Sequence, residues 1–296
     1  MKVLNIMKHY KLWFALSGSI IVIGLIMMIF NGLNLGIDFT GGTMMQIELG
    51  QVVTVKEVSE VISEFNLNPD IVHAGSEQKE VVIKTKESLN NEERSLIFAK
   101  LQEKYGLEDS ALKSAEQFGP AMGVEIRNRA IMAILIASVA MLVYITVRFE
   151  MVFGVAAIVA LLHDVLFLIA IYSIFQLTIS SSFIAAILTI VGYSINDTIV
   201  VFDRVRENVK REKNKEHIEI INTSVTQTLT RTLNTSITTL IVIGALYALG
   251  VQSIKEFAFP LLIGISVGTY SSIFIASPVW ALTRNFIGKK GSYATK

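Results

Sequence analysis

The stretch GYSINDTIVVFDR, residues 192–204, decides how the rest of the chain is read. It is apolar enough to belong to a membrane-crossing helix. Yet it carries Asp197, seven residues before the basic end at Arg204. A carboxylate in a lipid-spanning helix is costly and needs a partner or a function. Ala185, Thr189, Gly192 and Asn196 fall at three- to four-residue spacing, a small and polar stripe that lets another helix come close. The plain reading is a packing face with one hydrogen-bonded carboxylate. The functional reading is a carboxylate that exchanges a proton.

The totals place this stretch in a membrane protein. Of 296 residues, 52% are hydrophobic and only 17% charged, and mean hydropathy is +0.56. There is no cysteine, which excludes disulfides, thiolate metal sites and cysteine nucleophiles. No GxxxxGK[ST] phosphate loop is present, so work done by this chain draws on a source other than its own ATP hydrolysis. Six apolar stretches reach the roughly 20 residues a spanning helix needs: 12–30, 130–147, 152–172, 183–203, 226–249 and 259–283. The first is too long for a signal-peptide core and lacks a cleavage site, so it reads as an uncleaved span. Lysine and arginine set the orientation. With the N-terminus in the cytoplasm, that side holds 15 of them and the two short outer loops only Lys255. Both termini are therefore expected in the cytoplasm.

The fold class expected is an α-helical membrane protein with six transmembrane helices plus one extracytoplasmic α+β domain. Its parts are a cytoplasmic N-terminus and first span (1–30), the outer domain (31–129), spans two to four (130–203), a cytoplasmic amphipathic connection (204–225), spans five and six (226–283) and a cytoplasmic tail (284–296). The outer domain carries 16 acidic and 10 basic residues. TMMQIEL (43–49) alternates like a strand. Residues 53–65 have helical spacing, DIVHAG (70–75) and EVVIKT (80–85) read as strands, 88–105 as an amphipathic helix, and ALKSAEQF (111–118) as a last strand. The order βαββαβ predicts a ferredoxin-like domain.

Other polar groups lie inside the spans. Span five begins TQTLTRTLNTSITTL (226–240), with Arg231 one turn from Gln227 and from Thr235. Arg231 near the cytoplasmic end reads either as a snorkelling residue or as part of a wet or helix-packed interior. Asp197 lies roughly 10 Å inside Arg204, and Arg231 falls at a similar depth if the two helices are antiparallel neighbours. Such a pair lowers the cost of both charges. A pair that opens and closes with a proton is a plausible relay, though burial and a cationic neighbour oppose each other on the carboxylate. His163 and Asp164 sit mid-span three, pointing about 100° apart, as relay or as helix-packing support. Gly264, Gly268, Ser272 and Ala276 form a small-residue packing stripe in span six, bracketed by Pro260 and Pro278. After the first span, GIDFTGG (36–42) offers Gly36, Gly41 and Gly42 for tight turns and Asp38 as a cap or ion-pair partner. The charged run 204–220 reads as a solvated or membrane-surface helix. The outer domain shows no metal-ligand spacing, and its one histidine, His73, reads as structural.

GIDFTGG, GYSINDTIVVFDRVREN (192–208), TQTLTRTLNTSITTL and GTYSSIFIASP (268–278) together resemble the SecF family, the smaller partners of SecD in bacterial protein export. The resemblance covers nearly the whole chain in order. It implies a six-helix core of the resistance-nodulation-division type in the bacterial cytoplasmic membrane. It also implies association with SecD, the SecYEG translocon, YajC and the unfolded preprotein. The implied work is late-stage export driven by the proton-motive force (sodium in some members), after the ATP-driven SecA step. By the same resemblance, Asp197 and Arg231 match the family's ion-relay residues, with Asn196, Asp164, Gln227 and Thr235 as possible support. No cofactor, catalytic residue or nucleic acid is implied. The length fits a stand-alone SecF rather than a fused SecDF. Two other readings of the same core are a small-molecule or lipid exporter and a purely structural partner of SecD.

Overall fold

The computed structural model describes residues 3–284 apart from Asn66, Asn68, Ser76 and Lys213. The expected tail beyond Arg284 lies outside the described residues. The first span is α1 (Tyr10–Asn31), followed by the one-turn α2 (Ile37–Thr40). The outer domain then runs β1 (Gly42–Glu48), α3 (Val55–Ile62), β2 (Asp70–Ala74), β3 (Glu80–Thr85), α4 (Asn91–Tyr105) and β4 (Leu112–Phe118). The strand order is β2-β3-β1-β4 with every neighbour antiparallel, which is the ferredoxin-like arrangement the element order predicts. Alternation in the strands puts Met45, Ile47, Ile71, Val81 and Ile83 on one face. Val58 and Ile62 of α3 and Ile97 and Leu101 of α4 close over them. Both helices start with a capping box, Thr54 with Glu57 and Asn90 with Glu93.

The remaining spans are α5 (Pro120–Arg148), α6 (Met151–Ile174), α7 (Ser181–Arg211), α8 (His217–Leu249) and α9 (Gln252–Ser271). The last continues through a π-helical segment, Ser272–Ala276, towards Arg284. With α1, six helices among the described residues are long and apolar enough to cross a membrane. The chain is a multi-pass membrane protein. The helices run further than the apolar stretches themselves. α5 starts at Pro120, right after β4, and α7 and α8 run into the 204–225 segment and leave only a short turn between Arg211 and His217. The charged run extends α7 because its charges pair along one helix: Asp203 with Arg206, and Glu207 with both Arg204 and Arg211.

Helices α6, α7 and α9 form the buried centre, while α1, α5 and α8 keep most of their surface outward. Close approach in the centre depends on missing side chains. A Cβ on Gly264 would lie 2.2 Å from Ile190 Cδ1, and one on Gly268 would lie 2.9 Å from Ser194 Cβ. The outer domain sits at one end of this bundle. At the other end, Leu4 N–H donates to Thr226 Oγ1 (3.0 Å), Met7 N–H to Asn222 Oδ1 (3.1 Å), and Arg284 pairs with Glu150 (2.8 Å). The beginning of the described chain and the end of α9 therefore share the face opposite the outer domain.

Candidate functional site

Among the described residues two carboxylates are buried in the helix bundle, and α7 connects them: Ser194, which binds the first, lies one turn before Asp197, the second. Asp164, on α6, is 2% exposed. Its Oδ2 accepts from Ser194 Oγ of α7 (2.5 Å) and from Ser271 Oγ of α9 (2.8 Å). Its Oδ1 lies 3.0 Å from the Nδ1 of the adjacent His163. The 100° between neighbouring helix positions does not keep these side chains apart, because the imidazole folds back onto its own neighbour. Asp164 is thereby a knot tying the three central helices. Beside it, Thr198 Oγ1 and Ser272 Oγ meet at 2.8 Å, and Ser277 Oγ donates to Ser272 O across the π segment. The wider turn of that segment presents Ser271 and Ser272 together to α6 and α7.

Asp197 is also buried, at 4% exposure, but its situation differs. The helix packed against this part of α7 is α8, which carries the buried Thr232 and, next to it, Arg231. Among the described residues, however, neither Asp197 Oδ2 nor Thr232 Oγ1 closes a hydrogen bond. Arg231 is exposed and forms no ion pair within 4.0 Å among the described residues. The expected antiparallel placement does bring α7 and α8 together here, with the arginine near the acid rather than clasped to it. Arg231 instead lines an open cavity of about 550 Å³ with Arg204, Lys210, Gln227 and Thr228. Gln227 is fixed there as an acceptor for Arg204 Nε (2.7 Å) and Asn208 Nδ2 (2.8 Å).

The threonine-rich tract of α8 has a simpler basis than a wet interior. Thr228, Thr235, Thr238 and Thr239 all donate to carbonyls of their own helix, four residues back, at 2.9–3.1 Å. Ser236 meets Thr269 of α9 (2.6 Å), and Tyr193 of α7 reaches Thr239 (3.3 Å). A helix written this way hides its hydroxyls without needing water.

Gly192 requires a correction. A Cβ there would meet nothing within 4 Å, so it is not a packing glycine within this chain. Ala185, Thr189 and Asn196 are exposed, and Gly192 is half-buried. The small stripe of α7 turns away from α6 and α9 and lies outward, on the flank of Asp197.

The GIDFTGG segment joins the end of α1 to the start of α7. Asp38 Oδ2 accepts the Ser181 N–H at the first turn of α7 (2.7 Å). Gly36 N–H donates to Ile179 O (2.9 Å). Gly41 and Gly42 carry φ of +79° and +145°. At Gly42 a side chain would also collide with Thr85 O, 2.1 Å from an ideal Cβ. Sequence reasoning does not single out Thr198 or Ser271, and it gives Ser194, Thr232 and Ser272 no role beyond polar or small residues of their spans. Paired serines in an apolar helix, and a threonine directly after an intramembrane arginine, were the available signals.

Residues 97–285 match the family described as "Protein export membrane protein SecD/SecF, C-terminal", and residues 26–51 match the "SecD/SecF GG Motif". The protein translocase subunit SecF of Desulfurispirillum indicum is 46% identical over 271 residues, covering 89% of this chain and 86% of that protein. The subunit SecDF of Bacillus subtilis is 36% identical and is spanned over only 38% of its length. The crystal structure of SecDF from Thermus thermophilus, described as a translocon-associated membrane protein, superposes with a TM-score of 0.81 at 37% identity. It covers 96% of this chain, which spans 39% of that one.

Proposed function

The chain belongs to the SecD/SecF family of protein-export membrane proteins, and on that premise we propose how its membrane core takes part in export. Its relatives are protein translocase subunits, so its role is transport. We assign it a gradient-driven step: proton movement at Asp197 changes how α7 and α8 sit against a second membrane half, and that change reaches the outer domain.

The observation that carries this reading is the buried Asp197, whose Oδ2 closes no hydrogen bond among the described residues, on the flank of an outward stripe of small and polar residues. A buried carboxylate with one oxygen left without a hydrogen bond is among the groups most altered by gaining a proton or a new donor. A two-state element biased by protonation is what such a motor requires. Arg231 and Asn196, both exposed beside it, are then available to the partner half, and Asp164 holds the central helices rigid. The partner is SecD, a choice supported by relatives in which SecD and SecF share one name and one chain. SecYEG, YajC and an unfolded preprotein complete the assembly. The setting proposed is the bacterial cytoplasmic membrane, with both termini in the cytoplasm.

The test uses membrane vesicles holding this chain, its SecD partner and the translocon. Asp197→Asn and Arg231→Met should each remove the proton-motive-force-dependent part of export. Unchanged gradient dependence in both variants would overturn the relay.

A further inference from the structure

We propose that Asp38 is the joint through which movement of α7 reaches the outer domain; this rests on the relay reading, because α7 carries Asp197. The N-terminus of α7 has a local cap at hand. Ser180 is its N-cap residue, and serine is among the best cap side chains. Ser180 nevertheless makes no capping bond. The first helical N–H is taken by the Asp38 carboxylate, 143 residues away in sequence. A negative group at a helix N-terminus is favourable, but a distant one also fastens that helix to another part of the molecule.

The surroundings make this fastening stiff. Ile179 N–H donates to Asn34 O (2.8 Å) and Gly36 N–H to Ile179 O (2.9 Å), a parallel bridge between the segment after α1 and the α6–α7 turn. Asn34 Nδ2 donates to Gln176 O and to Thr178 Oγ1. Phe39 O lies 2.5 Å from where a Cβ on Gly123 of α5 would be. From Asp38 the chain needs only four residues to enter β1 at Gly42, where the backbone is wedged against Thr85 of β3. No flexible linker intervenes. The domain's contact with α9 is of a different kind. Lys84 and Glu256 form one ion pair (3.0 Å), with cavities of about 320 and 310 Å³ around it. The same segment is fastened to α5, which continues directly from β4, so the domain is held at α5 and α7 and only sparsely at α9; tilting or sliding of α7 against α5 then rotates the domain. Asp38 is a positioning residue in this scheme.

The test separates fastening from capping. In the vesicles above, Asp38→Ala should lower the gradient-dependent part of export about tenfold, within the usual range of coupling between sites, and leave ATP-driven export unchanged. Adding Ser180→Asp to Asp38→Ala restores an N-cap within α7 but not the link, and export should stay low. Recovery of export in that double variant would show that capping alone matters and overturn the proposal, as would wild-type export in Asp38→Ala. If Asp38→Ala fails to accumulate, the pair Asp38→Cys and Ser181→Cys decides, since the chain has no other cysteine. Oxidation should preserve export, because the contact stays closed through the cycle. Loss on oxidation, regained with reductant, would overturn it. Asp197→Asn run alongside keeps the two ideas apart: gradient dependence lost there but intact in Asp38→Ala sinks only the joint.

Discussion

Asp164 and Asp197 are both buried in the bundle, and the protein treats them in opposite ways. Asp164 receives hydroxyls from two other helices and an imidazole from its own. Asp197 keeps an oxygen with no hydrogen bond among the described residues, while a threonine and an arginine stand near it. A saturated buried carboxylate is a fastener, since every state that breaks it strands several polar groups. An unsaturated one is poised, because a proton or a donor from a neighbouring helix changes its energy most. An intramembrane acid therefore has to be classified by its partners, and its position in a span alone does not decide.

Exchanging the two roles is the strongest way to break this contrast. Asp197→Asn should abolish the gradient-dependent part of export, a loss of about tenfold or more, while the chain accumulates and unfolds like wild type. Asp164→Ala should do the reverse at the level of folding. It strands the Ser194 hydroxyl and leaves Ser271 only the Gly268 carbonyl of its own helix, which costs about 1–3 kcal/mol, to be read from denaturant unfolding in detergent. Equal stability losses in the two variants would erase the distinction.

The glycines sharpen the same contrast at the level of helix faces. Gly264→Ala places a methyl 2.2 Å from Ile190, and overpacking of that kind costs about 1–3 kcal/mol. Gly192→Ala meets open space, so the chain alone should stay within about 0.5 kcal/mol of wild type. If the Gly192 stripe is the face a second membrane half rests on, Gly192→Leu should weaken recovery of the SecD partner in mild detergent. Gly264→Ala should lower the yield of both proteins together. Undiminished recovery with Gly192→Leu would remove that face from the interface.

Much of this architecture is legible in the residues themselves. Six spans follow from apolar length, and the outer domain follows from strand and helix periodicities that do not overlap. Asp197 and Arg231 stand out because charge is rare where they lie. Three things are not legible there. The stripe through Gly192 and the stripe through Gly264 both follow helical spacing, and spacing does not tell an inward face from an outward one. The serines that saturate Asp164 come from α7 and α9, and no local pattern links positions 164, 194 and 271. The partner of Asp38, a backbone N–H at position 181, has no side-chain signature at all. Local periodicity is written in the sequence, whereas long-range polar pairing is decided by packing.

The smallest effect expected lies in the outer domain, where a satisfied carboxylate can be watched in water instead of lipid. Glu57 accepts the Thr54 backbone N–H (3.0 Å) while Thr54 Oγ1 accepts the Glu57 N–H (3.3 Å). The bonds from Thr54, backbone first, hold the Glu57 carboxyl below its ordinary value of 4.5. A carboxyl whose folded value is depressed adds stability that is fully present above its unfolded value. That stability is lost as pH falls through the folded value. The start of α3 should therefore loosen below about pH 4.5, seen as faster hydrogen exchange at its first amides after correction for intrinsic rates. Glu57→Gln should flatten this dependence and leave Val58 and Ile62 in the domain core. A similar acid loosening with glutamine at 57 would place its cause elsewhere in the acidic domain. The same variant should leave gradient-dependent export untouched, because a saturated carboxylate at a helix start fastens locally and transmits nothing.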